Sequence, residues 1–178
     1  MNFSLSLLAK RAFVLMAAML VAGCAFNPFF NPQPGMTSEQ ILRGMGRPTQ
    51  IVAIEGGERY QYSQQPQGQY ATMVDFDRNG HVTQARQVLT EAGFARIQPE
   101  IGRWTTKDIE REYGPPGRID HVASWSGDIW QYRWRQGLID MFYWVYFDQQ
   151  GIAQRAHQGR EYENAPGFFD GASGEGLP

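Results

Sequence analysis

Thr37-Ser38-Glu39-Gln40-Ile41 recurs as Thr105-Thr106-Lys107-Asp108-Ile109, and Gly46-Arg47-Pro48 recurs as Gly114-Pro115-Pro116, both displaced by 68 residues in a chain of 178. Farther along, Tyr60-Gln61-Tyr62 matches Trp130-Gln131-Tyr132 at a displacement of 70. Val74-Asp75-Phe76-Asp77-Arg78-Asn79-Gly80 then matches Val145-Tyr146-Phe147-Asp148-Gln149-Gln150-Gly151 at 71. Four matches in one order, with a slowly growing displacement, mean a duplicated unit with small loop insertions. Such a period determines the architecture before any element is assigned.

Each repeat opens on a chemically marked helix. Thr37 and Thr105 are N-cap residues whose hydroxyls can meet free backbone donors of the first turn, and Gln40 completes a capping box. Met36 with Ile41, and Trp104 with Ile109, occupy hydrophobic-staple positions. Gly46 and Gly114 can take a left-handed conformation that stops a helix, and Pro48 and Pro115 prevent its resumption. The expected helices are short, Ser38 to Met45 and Thr106 to Tyr113.

Strand signals follow each helix: Gln50 to Ile54, Glu58 to Ser63, Tyr70 to Phe76 and His81 to Leu89, then Arg118 to Ser124, Asp128 to Arg135, Leu138 to Phe147 and Ile152 to Gln158. They are rich in aromatic and β-branched residues and are separated by Gly-Gly, Pro-Gln-Gly, Ser-Gly, Gln-Gly and Asp-x-x-Gly turns. These loops are too short for crossover helices, so the strands must form antiparallel meanders. The expected class is α+β: two tandem repeats, residues 35–89 and 101–163, each a short helix packed on an antiparallel meander of three to four strands. The connector, 90–100, has room for one helical turn.

Outside the repeats the chain changes character. Lys10 and Arg11 precede an uncharged apolar run, Ala12 to Ala22, too short for the roughly 20 residues of a membrane-spanning helix. Val21-Ala22-Gly23-Cys24 follows, and it resembles the lipobox of bacterial lipoproteins. That resemblance implies removal of residues 1–23, acylation of Cys24 with a palmitate-type lipid, and attachment of the mature protein to a membrane by its N-terminus. Ala25 after the cysteine, in place of an aspartate, implies sorting to the outer membrane, facing the periplasm. Cys24 is the only cysteine, which excludes an intrachain disulfide. Residues 24–34 carry three prolines and read as an extended tether whose phenylalanines could dock on the domain or dip into lipid; 164–178 is Gly-rich and reads as a disordered tail.

Removing Lys10 and Arg11 takes 16 basic residues to 14 against 18 acidic ones, a net charge of minus 4. An acidic chain with Lys107 as its one remaining lysine lacks the clustered cations that nucleic acid requires, and no polybasic patch supports the anchor.

A helix ending in Gly-x-Pro, an aromatic-x-Tyr strand and a Phe-Asp-x-x-Gly hairpin together resemble the BamE/SmpA/OmlA family of outer-membrane lipoproteins. The unit occurs twice over residues 34–163, and a tandem pair also resembles the architecture of the β-lactamase inhibitor protein. The first resemblance implies a partner in the machinery that assembles β-barrels; the duplication departs from the single-unit pattern.

Catalytic signals are weak. Phe76-Asp77-Arg78-Asn79-Gly80 and its counterpart at 147–151 offer one or two oxygen side chains where calcium needs about six ligands, so they read as turns in which Asp accepts from following amides. His81, His121 and His157 lack paired metal-ligand spacing, no nucleophile elbow or phosphate loop is present, and Glu110 and Glu112 point apart on their short helix. The expectation is a non-enzyme with no metal and no cofactor besides the lipid on Cys24.

One asymmetry distinguishes the repeats. Thr72, Val74 and Phe76 match Tyr143, Val145 and Phe147 on the face expected to meet the helix, because strand side chains alternate. The opposite face carries Ala71, Met73 and Asp75 in the first repeat but Phe142, Trp144 and Tyr146 in the second. Those aromatics are either a partner-binding face or packing against the first repeat, the connector or the tether. Trp130, Tyr132 and Trp134 also share one strand face, and because Trp130 and Tyr132 match Tyr60 and Tyr62 a core role common to both repeats is expected there. The expected function is protein binding and scaffolding in outer-membrane assembly or envelope integrity; the alternative is inhibition of a periplasmic or foreign hydrolase.

Overall fold

The structure of the protein is a computed structural model and describes residues 30–161. Val21, Ala22, Gly23 and Cys24, the expected signal segment, most of the tether and the tail lie outside the described residues. The order is α1 (Ser38–Met45), β1 (Gln50–Ile54), β2 (Gly57–Ser63), β3 (Ala71–Asp77), β4 (Val82–Gln87), α2 (Glu91–Ala95), a 3-10 turn (Gln98–Glu100), α3 (Thr106–Tyr113), β5 (Arg118–Asp120), β6 (Ile129–Gln136), β7 (Ile139–Phe147) and β8 (Ala153–Arg160). The chain is α+β, with two four-stranded antiparallel meanders, β1-β2-β3-β4 and β5-β6-β7-β8. A bulge falls at the same place in both, between Asp75 and Phe76 and between Tyr146 and Phe147.

Repeated hydrogen bonds explain the repeated letters. Thr37 accepts from the Gln40 amide and Thr105 from the Asp108 amide, and the Gln40 and Asp108 side chains accept from the Thr37 and Thr105 amides. The Ser38 and Thr106 amides donate to the carbonyls of Gly80 and Gly151, which ties each helix start to the tip of its Asp-x-x-Gly hairpin. At the other end, the Tyr62 and Tyr132 hydroxyls donate to the carbonyls of Gly46 and Gly114, at 3.2 and 2.9 Å. The aromatic-x-Tyr and Gly-x-Pro motifs are therefore partners in one contact. Gly46 and Gly114 differ from expectation in one respect: φ is 76° and 80°, but ψ is −161° and −177°. This is the extended positive-φ region open essentially only to glycine, and it turns the chain out of the helix at once.

The Asp turns also take the expected form. Asp77 Oδ1 accepts from the amides of Asn79 and His81, and Asp148 Oδ1 from those of Gln150 and Ile152. The His81 amide in one turn and the Ile152 amide in the other hold these carboxyls below their ordinary values.

The two units are joined by a shared core. One cluster contains Ile41, Tyr60, Val74, Phe76 and Val82, with Phe30 and Met36 against it. The larger cluster contains Ala71 and Met73 from β3, Val88, Leu89, Phe94 and Ile97 from the connector, Ile109 and Tyr113 from α3, and Trp130, Tyr132, Trp134, Tyr143, Val145 and Phe147 from the second sheet. Because alternate residues of β3 fall into different clusters, the first sheet is covered on both faces. Ile41 of α1 belongs to the first cluster, and Phe94 of α2 with Ile109 and Tyr113 of α3 to the larger one. The connector is thus an interior element, with Phe94 stacked on Tyr143 at 4.0 Å and on Tyr113 at 5.6 Å.

Docking of α3 on the first sheet is polar at its centre. A helix leaves its last carbonyls without partners. Gln61 Nε2 donates to the Glu110 and Arg111 carbonyls, at 2.9 and 3.1 Å, and Arg59 Nη1 donates to Arg111 O and to Glu112 Oε1, at 2.9 and 3.0 Å. Arg59 grips Asp75 with its other nitrogens, at 2.5 and 2.9 Å, while Arg86 joins Asp75 to Glu112 and Arg96 adds a further bond to Glu112. Arg59 is 5% exposed and Asp75 6%. Burial alone would push both carboxyls up, but the Arg59 bonds and charge, helped by Arg86, hold Asp75 and Glu112 below the ordinary carboxylate values. A second lock is the Gln65 side chain, which donates to the Arg133 carbonyl at 2.7 Å and accepts from the Arg133 amide at 3.0 Å, as a strand would on the β6 edge.

Removing one member of the buried group leaves an uncompensated charge, so Asp75→Ala should destabilise the protein by about 3–5 kcal/mol in urea unfolding. A depressed carboxyl stabilises the fold above its unfolded pKa, about 4, and that stabilisation disappears as pH falls through the folded value. Acid unfolding monitored by circular dichroism should accordingly be shallower in Asp75→Ala than in the unsubstituted protein.

Candidate functional site

Phe142, Trp144 and Tyr146 alternate with Met141, Tyr143, Val145 and Phe147 along β7, and the two sets have different fates. The second set is buried, as are Trp130, Tyr132 and Trp134, which pair with it from β6. Phe142, Trp144 and Tyr146 are half-buried on the opposite face and belong to neither core cluster. Phe142, Trp144 and Tyr146 thus stand apart from the shared core. It is the first repeat's equivalent face, Ala71, Met73 and Asp75, that is enclosed between units.

The aromatics form a continuous platform. Phe142 and Trp144 have ring centroids 5.6 Å apart, His157 of β8 lies 5.1 Å from Trp144 and 5.3 Å from Tyr146, and Trp125 meets the Tyr146 ring edge-on at 5.2 Å. Trp125 is fixed in turn by its indole N–H, which donates to the Phe147 carbonyl at 2.6 Å. The Arg155 guanidinium sits 5.2 Å over the Tyr146 ring, a cation–π arrangement. Burial, and then the nearby Arg155 charge, push the His157 pKa down, so the imidazole between the two rings is neutral at pH 7.

Register identifies what is special here. Gln61 and Arg59 on the first sheet receive α3; Gln131 and Ile129 occupy their places on the second. Met73 and Asp75 are replaced by Trp144 and Tyr146, and their β4 partners Arg86 and Gln84 by His157 and Arg155. The second sheet therefore presents, at the matching positions, a face in which the ionic group is replaced by aromatic rings. The repeat comparison singles out Phe142, Trp144 and Tyr146 but misses Trp125, Arg155 and His157. The two β8 residues are legible from the alternation of β8 once its pairing with β7 is known, and Trp125 is brought in only by a loop.

Elsewhere, a groove of about 550 Å³ at the seam is lined by Ala53, Ile54, Glu55, Arg59, Arg111 and Glu112. Its charged side chains Arg59 and Glu112 already bond each other. Among the described residues no group of three His, Cys, Asp or Glu side chains is placed to hold a metal. Among the same residues no helix is long and apolar enough to cross a membrane.

The two tryptophan environments should separate in stability measurements. Trp134→Ala, in the core, should cost about 3–5 kcal/mol, whereas Trp144→Ala should cost about 1–2 kcal/mol with an unchanged denaturant slope.

No protein-family model matches this chain, and no curated protein sequence does. Among solved structures it is similar to the crystal structure of YjgB, a DUF4309-family protein from Bacillus subtilis, at 14% identity and a TM-score of 0.29, over 79% of this chain and 84% of that one.

Proposed function

We propose that this protein is an outer-membrane lipoprotein facing the periplasm, without catalytic activity, that scaffolds envelope assembly by binding another envelope protein. Cys24, preceded by Val21, Ala22 and Gly23, would carry the lipid. More than one acyl chain is needed for stable attachment, because each buried methylene contributes only about 0.8 kcal/mol and a single chain binds reversibly. Two units of the BamE-like kind, each a short helix on its own meander, form the body, and the aromatic face of the second sheet is the binding surface.

The observation that carries this reading is that Phe142, Trp144 and Tyr146 remain half-exposed and outside both core clusters, at positions where the first sheet is covered by α3. Large aromatic side chains on a rigid sheet are the residues that most often dominate a protein interface. They are held by β7 pairing on both sides, so little order is lost on binding. A second reading, inhibition of a hydrolase, is favoured by the β6–β7 hairpin tip at the end of the same sheet, where Leu138 is 95% exposed. An apolar residue on a hairpin tip is suited to entering a cleft.

Cys24→Ser should move the protein from the membrane to the soluble envelope fraction. In affinity capture with the lipidated protein, Trp144→Ala with Tyr146→Ala should lose the recovered envelope partner, with a penalty of about 2 kcal/mol or more expected from a hot spot, or roughly 30-fold in Kd. Capture that recovers no envelope protein, or the same one at the same level with both substitutions, overturns the binding assignment.

A further inference from the structure

We infer that the aromatic face of the second sheet has an occupant within the chain itself, the segment 162–170. This rests on the reading of that face as a binding surface and adds what covers it before a partner arrives.

The end of β8 directs the chain there. The Glu161 amide donates to the Asp140 carbonyl at 3.0 Å, extending the pairing of β8 by one step. The Glu161 carboxylate is held by Arg133, at 2.7 Å to Nη2 and 3.2 Å to Nε. Arg133 is the register partner of Phe142, so this ion pair draws the exit of β8 onto the platform side of the sheet. Beyond Glu161 the chain reads Tyr162-Glu163-Asn164-Ala165-Pro166-Gly167-Phe168-Phe169-Asp170.

Reach, direction and chemistry agree. Phe168 lies seven residues beyond Glu161, up to about 24 Å of extended chain, whereas the platform from Phe142 to Tyr146 spans about 13 Å. The chain leaves β8 heading away from Tyr146, and Pro166-Gly167 is a turn sequence that can reverse it, returning Phe168 and Phe169 over Phe142 and Trp144. Residues 161–178 contain four acids, Glu161, Glu163, Asp170 and Glu175, and no lysine or arginine. The platform offers Arg155 over Tyr146, while Arg133 at its edge is already taken up by Glu161 and by the Pro66 and Gln67 carbonyls. An acidic segment with two adjacent phenylalanines is complementary to aromatic rings edged by a guanidinium group. Tethering makes the contact intramolecular, at a millimolar effective concentration, so it needs little intrinsic affinity.

The test uses the full chain with p-benzoylphenylalanine in place of Phe168, irradiated at low micromolar concentration, with the adducts mapped by peptide mass spectrometry. Crosslinks within one chain to peptides carrying Phe142–Tyr146 or Arg155–His157 are expected. Adducts found only between chains would make a second copy the occupant and overturn the inference, as would adducts confined to other surfaces or none at all. In parallel, Phe168→Ser with Phe169→Ser should raise acrylamide quenching of tryptophan fluorescence, and that rise should vanish in a Trp144→Phe background; equal quenching in all forms overturns it. Intramolecular adducts without any captured envelope protein would leave this inference standing while the partner reading fails, and a captured partner without such adducts would do the reverse.

Discussion

Arg59 is the residue on which the rest of the structure depends. Its guanidinium reaches a helix carbonyl at Arg111, a carboxylate on that helix at Glu112 and a carboxylate on its own sheet at Asp75, while almost fully shielded from water. A cation at a helix C-terminus is favoured by the helix dipole, and five planar donors can satisfy several acceptors at once. A lysine with one compact charge could not take Arg59's place. Because this contact encloses the outer face of the first sheet, that face combines the small or flexible apolar residues Ala71 and Met73 with the polar Gln61 and Asp75 that meet α3 and Arg59.

The ends of the stack are handled differently. In α1 the position matching Glu112 is Gly44, and the Phe30 ring from the tether lies so close that a Cβ there would collide with it. Phe30 therefore covers α1 at Gly44, as the first sheet covers α3 at Glu112. Phe30 is thus one tether phenylalanine that docks on the domain; the others lie outside the described residues. Among the described residues no third unit covers the second sheet, and its outer face is freed from the ionic docking chemistry. Under that relaxed constraint Trp144, Tyr146 and Phe142 occupy a face whose counterparts are Met73, Asp75 and Ala71. Duplication followed by loss of one packing obligation is a physical route to a new surface.

Much of this was legible from the chain alone. Both principal helices begin and end where capping threonines and terminal glycines place them, because those signals act through backbone bonds within a few residues. Most strands follow for the same reason, as turn chemistry sits between alternating apolar runs, but β5 ends at Asp120 rather than running to Ser124. The platform aromatics were visible through comparison of the repeats. Its flanking Trp125, Arg155 and His157 were not, since each reaches the site through strand pairing or a loop. Nor was the burial of Arg59, Asp75 and Glu112, because Arg59 and Glu112 are brought together across 53 residues.

The sequence by itself determined what is local: a duplicated unit, its capped helices, its Asp turns and which side chains share a strand face, all set by interactions over a few residues. Only the tertiary structure decided which faces are interior. Two sheets with four faces and two principal helices can be layered in more than one order. The order adopted is the one in which the carbonyl end of α3 finds Arg59 and Gln61 as partners, leaving the aromatic face outermost.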